Sequence, residues 1–595
     1  MNIQTILQNR IAEALEHTFS SGVAAEDIKL LPTRKEFEGS HTFTTFPLAK
    51  ESGLSPEEIG NKVGTYLIAN AKEIKSYNVV KGFLNIVLKD EILIQFLNNV
   101  AMADSYGQLP DNEQTVMVEF SSPNTNKPLH LGHLRNNFLG DSMAAILKAN
   151  GYKVIKANLI NDRGIHICKS MLAYQKFGNG ETPLSSGTKG DKLVGKYYVE
   201  FDKQLKNLAA DLVLKGWSET DIEKKHPLLI EVQAMLLKWE EGDKEVIDLW
   251  KKMNGWVYDG FATTYKNIGI SFDKYYYESN TYLLGKEVVE EGLASGVFFR
   301  KPDNSVWIDL TNEGLDEKLV LRADGTSVYI TQDLGTADLK FKDFNLNKSV
   351  YVVGNEQDYH FVVLKHIMKK LGRTYADGIY HLSYGMVDLP QGKMKSREGT
   401  VVDADDLVQE MVDTAEQMTK ELGKIDGFTE AQAEALYHTV GLGALKYFLI
   451  KVDPKKRMLF NPAESIDFHG HTGPFIQYTY ARIGAILRKA ATLNIVASNL
   501  QGTEYQLKPT EREALVYLLN YEKVLKQAAD EYSPSLISLY VYELAKLYNG
   551  FYAEVSIFQE TDLKALQFRI SFSFAIAKTI KIGMRLLCID VPERM

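Results

Sequence analysis

VMVEFSSPNTNKPLHLGHLRNNFLGDSMAAILKANG occupies residues 116–151, and its reading decides the fold. Apolar residues alternate at Val116, Val118 and Phe120, as in a buried strand. A polar turn containing proline and asparagine follows. His130-Leu131-Gly132-His133 then opens a segment whose apolar residues (Leu134, Phe138, Leu139, Met143, Ile146, Leu147) recur at helical spacing up to Gly151. A strand, a glycine-bearing turn and a helix N-terminus make a seat for phosphate, because backbone N–H groups and the helix dipole both favour an anion there. Packing alone gives no reason for two histidines around one glycine.

A chain of 595 residues is too long for one ordinary core, so several domains are expected. Hydrophobic content of 45% with 24% charged residues is that of a folded soluble protein. The net charge of −9 excludes a generally basic nucleic-acid coat but leaves room for RNA gripped by local basic patches. Two cysteines far apart, Cys168 and Cys588, exclude a disulfide framework and a cysteine zinc cluster, and they suit a reducing cytosol. The first 17 residues pattern as an amphipathic helix without the long apolar run or cleavage site of a signal peptide. No apolar run reaches membrane-spanning length. The expectation is a soluble, cytoplasmic, multidomain protein with no membrane contact.

Outward from the opening stretch, residues 1–110 read as a small α+β unit with a first helix from Ile3 to Phe19 and an alternating strand at 82–88. The turn-rich 109–112 marks its end. From 113 to 404 strands alternate with helices. Strand-like pieces at 152–160, 328–333 (with Gly335 at the following turn) and 349–354 each run into polar residues, the first into Asn161-Asp162-Arg163-Gly164 and the last into Asn355-Glu356-Gln357-Asp358-Tyr359-His360. That rhythm predicts an α/β, doubly wound, Rossmann-type parallel sheet whose strand ends converge on one crevice. A solvated helical insertion interrupts it at about 185–295. A helical connector (405–462) and an all-α C-terminal domain (463–595) follow, with helices at 405–422, 429–450, 473–490, 510–529, 535–554 and 568–587.

A nucleoside triphosphate attacked at its α-phosphorus develops negative charge that a protein answers by positioning and by preorganised donors. Histidines at a helix N-terminus can donate to those oxygens, and Gly132 lets the nucleotide approach the backbone. The residues 385–402, GMVDLPQGKMKSREGTVV, form a glycine-punctuated stretch carrying Lys393, Lys395 and Arg397. Alone it reads as a solvated basic turn. Paired with the H-x-G-H turn at the far end of the same α/β region, it reads as a loop for the β- and γ-phosphates.

Together the two resemble the HIGH and KMSKS elements of class I aminoacyl-tRNA synthetases. The surroundings resemble arginyl-tRNA synthetases in particular: 118–124 running into Lys127-Pro128-Leu129-His130, the segment 329–335 (YITQDLG), 473–482 (GPFIQYTYAR) and the terminal Val591-Pro592-Glu593-Arg594-Met595. This resemblance implies ATP-dependent activation of L-arginine to arginyl-adenylate, then transfer to the terminal adenosine of tRNA(Arg), first on its 2′-hydroxyl, releasing AMP and pyrophosphate. It implies Mg2+ accompanying the ATP, no permanently bound metal, a monomer, an N-terminal domain that contacts tRNA, and activation that needs bound tRNA. Implied catalytic residues are His130, His133, Lys127, Lys393 and Lys395, with Ser122, Gly132 and Arg397 also at the ATP. Where KMSKS has its second lysine this chain has Ser396, and Lys127 is implied to supply part of the missing charge.

A guanidinium calls for carboxylates in a planar fork. Glu119 and Asp333 are the acids read at strand ends, although a strand-end salt bridge remains the alternative for Glu119. The resemblance adds Asn124, Tyr329 and Gln357 to the arginine site, and Phe475, Tyr478 and Arg482 to a tRNA-binding face. Cys168 reads as packing, and His166 and His360 as either structural or site residues. The aromatic helix at 540–552 reads mostly as core, since aromatic stripes at helical spacing usually are. Two rivals stay open: an H-x-G-H nucleotidyltransferase that needs no RNA, and a non-catalytic RNA-binding relative.

Overall fold

The opening strand runs over Thr115–Glu119 and is buried over its last four residues. A strand buried on both faces needs partners on both edges. It has them, at the centre of a five-stranded sheet ordered Ile379–Tyr384, Lys348–Gly354, Thr115–Glu119, Lys153–Ile160, Lys274–Tyr277. All four pairings are parallel. From the central strand the chain adds two strands on one side, then returns to add two on the other, which is the doubly wound arrangement expected. The switch point lies between Thr115–Glu119 and Lys348–Gly354. The residues that follow the strands, Phe120, Asn161, Glu278, Asn355 and Gly385, therefore all emerge at one edge of the sheet. This computed structural model describes residues 3–34, 36–388, 402–421, 427–500 and 505–595.

One stretch differs from its sequence reading. Residues 328–333 are no strand; they start the helix Tyr329–Phe344. The run VYITQD is rich in β-branched and aromatic residues, so local preference favours a strand. Continued to Phe344, however, Ile330, Leu334 and Ala337 fall on one buried helical face, and tertiary packing decides. Thr331 Oγ1 accepts the Val328 N–H at 3.1 Å to start the helix. Gly335 accordingly marks no turn. A Cβ there would lie 2.4 Å from the Gly285 nitrogen, so the glycine lets this helix touch the helix Gly285–Ala294.

Between the second and third strands come the helices Gly190–Leu214, Glu219–Lys225, Pro227–Glu240 and Lys244–Ile268. A three-stranded antiparallel sheet (Phe299–Arg300, Val306–Ile308, Lys318–Leu321) carried no sequence signal, because its strands are too short to show alternation. The N-terminal unit packs helices Ile3–Phe19 and Pro56–Asn70 against a four-stranded antiparallel sheet. Beyond Val402 the chain is almost wholly helical, and the single helix expected at 510–529 is two, Pro509–Leu518 and Tyr521–Asp530. Tyr540, Tyr548 and Phe551 are core residues, as read.

The helix Leu131–Ala149 is the hub of the molecule. Most of its residues, polar as well as apolar, are buried, and several of the polar ones bond neighbouring segments. Asn136 Nδ2 donates to the Val352 carbonyl of the sheet, and Ser142 Oγ to the Leu586 carbonyl of the last helix. Asn150, just past its end, donates to the Leu525 carbonyl. The fully buried Arg135 guanidinium donates to the carbonyls of Gly385, Pro454 and Lys456.

Candidate active site

His130 caps the helix Leu131–Ala149 through its own ring: Nδ1 accepts the Gly132 N–H at 3.1 Å. His133 Nδ1 accepts the His130 N–H at 3.2 Å, and the two ring centroids stand 4.0 Å apart. Burial, reinforced by Lys127, holds His130 down to about 3; burial, with His130 and Lys127 adding, also holds His133 well below the usual histidine range. Both rings are therefore neutral near pH 7. With each Nδ1 accepting from backbone, the ring proton of each sits on Nε2. The turn thus presents two fixed N–H donors without a cationic imidazole. Gly132 has a second use: a Cβ there would sit 3.0 Å from His130 Cε1, against the folded-over ring. Burial also lowers the Lys127 pKa.

The strand-to-turn passage is strained. Ser121 and Ser122 have φ of 73° and 45°, in the left-handed region that side chains disfavour by about 1 kcal/mol or more each. The strain is held by bonds from Ser121 N–H to Asn136 Oδ1, from Ser122 N–H to Asn158 Oδ1, and between Ser121 Oγ and the Tyr265 hydroxyl. Asn124 follows, exposed at the crevice and bridged to Asn161.

Lys393, Lys395 and Arg397 lie outside the described residues. The flanks of their stretch are described, and both are pinned to the H-x-G-H helix. Gly385 is held by Arg135 at 2.6 Å. On the far side the Leu131 N–H donates to Val402 and the Ala404 N–H to Leu129, so that Asp403 pairs antiparallel with His130. The described flanks of the basic stretch therefore lie beside the H-x-G-H turn.

Across the crevice, Asp333 sits near the start of the helix Tyr329–Phe344, just past its first turn, rather than at a strand end. Its Oδ2 lies 2.6 Å from His360 Nε2, which places His360 in the site. Tyr329 is 82% exposed, and Gln357 is exposed in the segment after Lys348–Gly354. The structure adds a carboxylate that the sequence reading missed. Glu278 directly follows the edge strand Lys274–Tyr277, and burial, opposed by Arg163 and reinforced by Asp162 and Asp333, raises it to about 7. Asp162, also raised by burial, accepts from the Ser279 N–H and Oγ and from the Tyr258 hydroxyl, each at 2.8 Å, tying two strand ends together. The signal for Glu278 was its place after an aromatic strand, but that strand fell within the span read as helical insertion.

Glu119 ends the central strand with its carboxylate 2.5 Å from Lys340 Nζ, both side chains under 10% exposed. His166 Nδ1 lies 3.2 Å from the Tyr198 hydroxyl, and Cys168 is buried in packing. In the helical C-terminal region, Phe475, Tyr478 and Arg482 line one half-buried face of Gly473–Thr492. The Arg482 guanidinium lies over the rings of Tyr478 and Tyr552, an aromatic platform with a cation on it.

Known proteins match this arrangement from end to end. The Arginyl tRNA synthetase N terminal domain matches residues 5–88, the class I (R) tRNA synthetase catalytic domain 96–461, and the DALR anticodon binding domain 476–595. An arginine–tRNA ligase of Amoebophilus asiaticus is 59% identical over 596 residues, covering 100% of both chains. One of Flavobacterium psychrophilum is 55% identical over 609 residues, again with 100% of both covered. The solved arginyl-tRNA synthetase of Thermus thermophilus shares the fold at a TM-score of 0.81 and 24% identity, covering 100% of both chains. Matched in sequence along its whole length, the chain belongs to the arginine–tRNA ligases, the arginyl branch of the class I tRNA synthetases.

Proposed function

We propose that the crevice divides arginine activation between its two walls. On the H-x-G-H wall, the Nε2–H groups of His130 and His133 donate to the α-phosphate as the arginine carboxylate attacks phosphorus and pyrophosphate departs. Ser122 and Gly132 shape the adenosine side. Lys127, with Lys393, Lys395 and Arg397 from the basic stretch, neutralises the leaving pyrophosphate. Mg2+ arrives with the ATP; a turn that offers N–H donors and cations rather than carboxylates leaves such a metal to phosphate oxygens and water. On the opposite wall, Asp333 and Glu278 take the guanidinium beside Tyr329, while Asn124 and Gln357 hold the rest of the amino acid.

In the second step the 2′-hydroxyl of the terminal adenosine of tRNA(Arg) attacks the activated carbonyl and AMP leaves. Phe475, Tyr478 and Arg482 contribute stacking and charge to the tRNA, in the way aromatic platforms with basic neighbours hold single-stranded bases. The reading includes action as a cytoplasmic monomer. The observation that carries it is the pairing of two preset imidazole N–H donors with a carboxylate pair across one crevice.

ATP–pyrophosphate exchange with each amino acid, with and without tRNA(Arg), tests the reading. Arginine alone should support exchange, and Asp333→Ala should raise the arginine KM at least tenfold while the ATP KM stays within about twofold. Exchange supported by another amino acid, or equal losses for both substrates, would overturn the assignment.

A further inference from the structure

The helix Tyr329–Phe344 carries Tyr329 at its first position and Asp333 one turn further on, and it is held at two heights. At the top Asp333 meets His360. Two turns below, roughly 10 Å along the axis at 1.5 Å per residue, Lys340 reaches into the sheet. Its Nζ lies 2.5 Å from Glu119 Oε2 and 4.5 Å from the centre of the Tyr351 ring. Glu119 and Tyr351 stand opposite each other in the two strands that flank the switch point. A lysine with 2% of its side chain exposed is costly unless its charge is answered, and here a carboxylate and an aromatic face answer it. Glu119 is held as firmly: it ends the strand that turns through Ser121 and Ser122 into His130.

We infer that Lys340 and Glu119 are positioning residues for arginine activation, a buried ion pair that fixes the helix bearing the guanidinium ligands to the strand bearing the H-x-G-H turn. The inference rests on the reading of Asp333 given above, and it gives Glu119 a different task from contact with the guanidinium. The carboxylate already has a cation 2.5 Å away, so a second cation entering from the substrate would have to displace a bond that holds the fold. Burial opposes the charged form of Lys340, but Glu119, Tyr351 and Asp333 together more than offset it and raise its pKa, so the lysine keeps its charge at working pH. The distance between the two walls is then set by the protein before either substrate arrives.

The test is a mutant cycle read by steady-state ATP–pyrophosphate exchange with tRNA(Arg) present. Lys340→Met leaves Glu119 buried and unpaired, and it should raise the arginine KM at least tenfold with the ATP KM within about twofold. Glu119→Gln should do the same from the other side. The double variant Glu119→Gln/Lys340→Met has no buried charge at the junction and similar volume, so its arginine KM should return to within about threefold of the parent. A double variant no better than Glu119→Gln alone overturns the inference, because a carboxylate that touches substrate cannot be replaced by relieving its neighbour. An unchanged arginine KM in Lys340→Met overturns it as well. If either single variant fails to fold, the double variant decides by the same criterion. Failure of the parent enzyme to exchange with arginine would instead strike the underlying reading.

Discussion

His133 is tied to the backbone by one nitrogen and presents the other to the crevice. Removing a preorganised donor of this kind costs about 10²–10³ in rate. His133→Ala should slow adenylate formation in single-turnover quench by that order, with tRNA affinity by filter binding unchanged; loss of tRNA binding would mark the ring as structural. Glu278 makes a pH prediction. Its folded pKa of about 7 lies above the ordinary glutamate value of 4.5, so between those limits the folded state binds more protons than the unfolded one. Its contribution to stability is full below about pH 4.5 and is lost as pH rises through about 7. Arginine binding runs the other way, since only the ionised carboxylate pairs with a guanidinium. The arginine KM should fall from pH 6 to 8, and Glu278→Gln should flatten that profile; an equal slope in the variant would remove Glu278 from the substrate site. At this scale the sequence placed His130 and His133 correctly on a turn that opens a helix, but it read Asp333 at a strand end where the chain is helical. It was silent on the histidine tautomers and on Glu278, because both depend on what folds against them.

At the scale of elements, the parallel sheet could be read because its strands are apolar runs ending in polar clusters. The helix Tyr329–Phe344 could not, since residues 328–333 at its start prefer a strand and packing, including that against the helix Gly285–Ala294, reverses them. That contact is tight enough to test. Gly335→Ala would place a methyl 2.4 Å from the Gly285 nitrogen and 2.5 Å from the Leu284 carbonyl carbon, where backbone cannot yield easily. The expected loss is about 1–3 kcal/mol, seen as a lower Tm by calorimetry. A raised arginine KM should accompany it, because Asp333 lies two residues before the contact. A variant with unchanged Tm and KM would show that the two helices slide apart freely. The three-stranded antiparallel sheet stayed illegible for a simpler reason: strands of two to four residues are too short for alternation to show.

For the whole molecule, the sequence predicted separate units, and the bonds from the helix Leu131–Ala149 show how little they are separate. Ser142 and Asn150 give their protons to Leu586 and Leu525, and Arg135 binds the stretch before the C-terminal helices. A chain ending after residue 460 would lose the first two acceptors and expose the face they cover. It should be recovered aggregated or without cooperative melting by circular dichroism, whereas a soluble truncation with a sharp transition would refute the dependence.

The same bonds bear on how the protein is made. Ser142 and its acceptor at Leu586 are 444 residues apart. At synthesis rates of about 5–20 residues per second, roughly 20–90 s pass between the appearance of the catalytic helix and the arrival of the partner that completes its burial. The H-x-G-H helix is thus among the early parts of the catalytic region to leave the ribosome and among the last to be finished, and the nascent chain must be kept from aggregating through that interval.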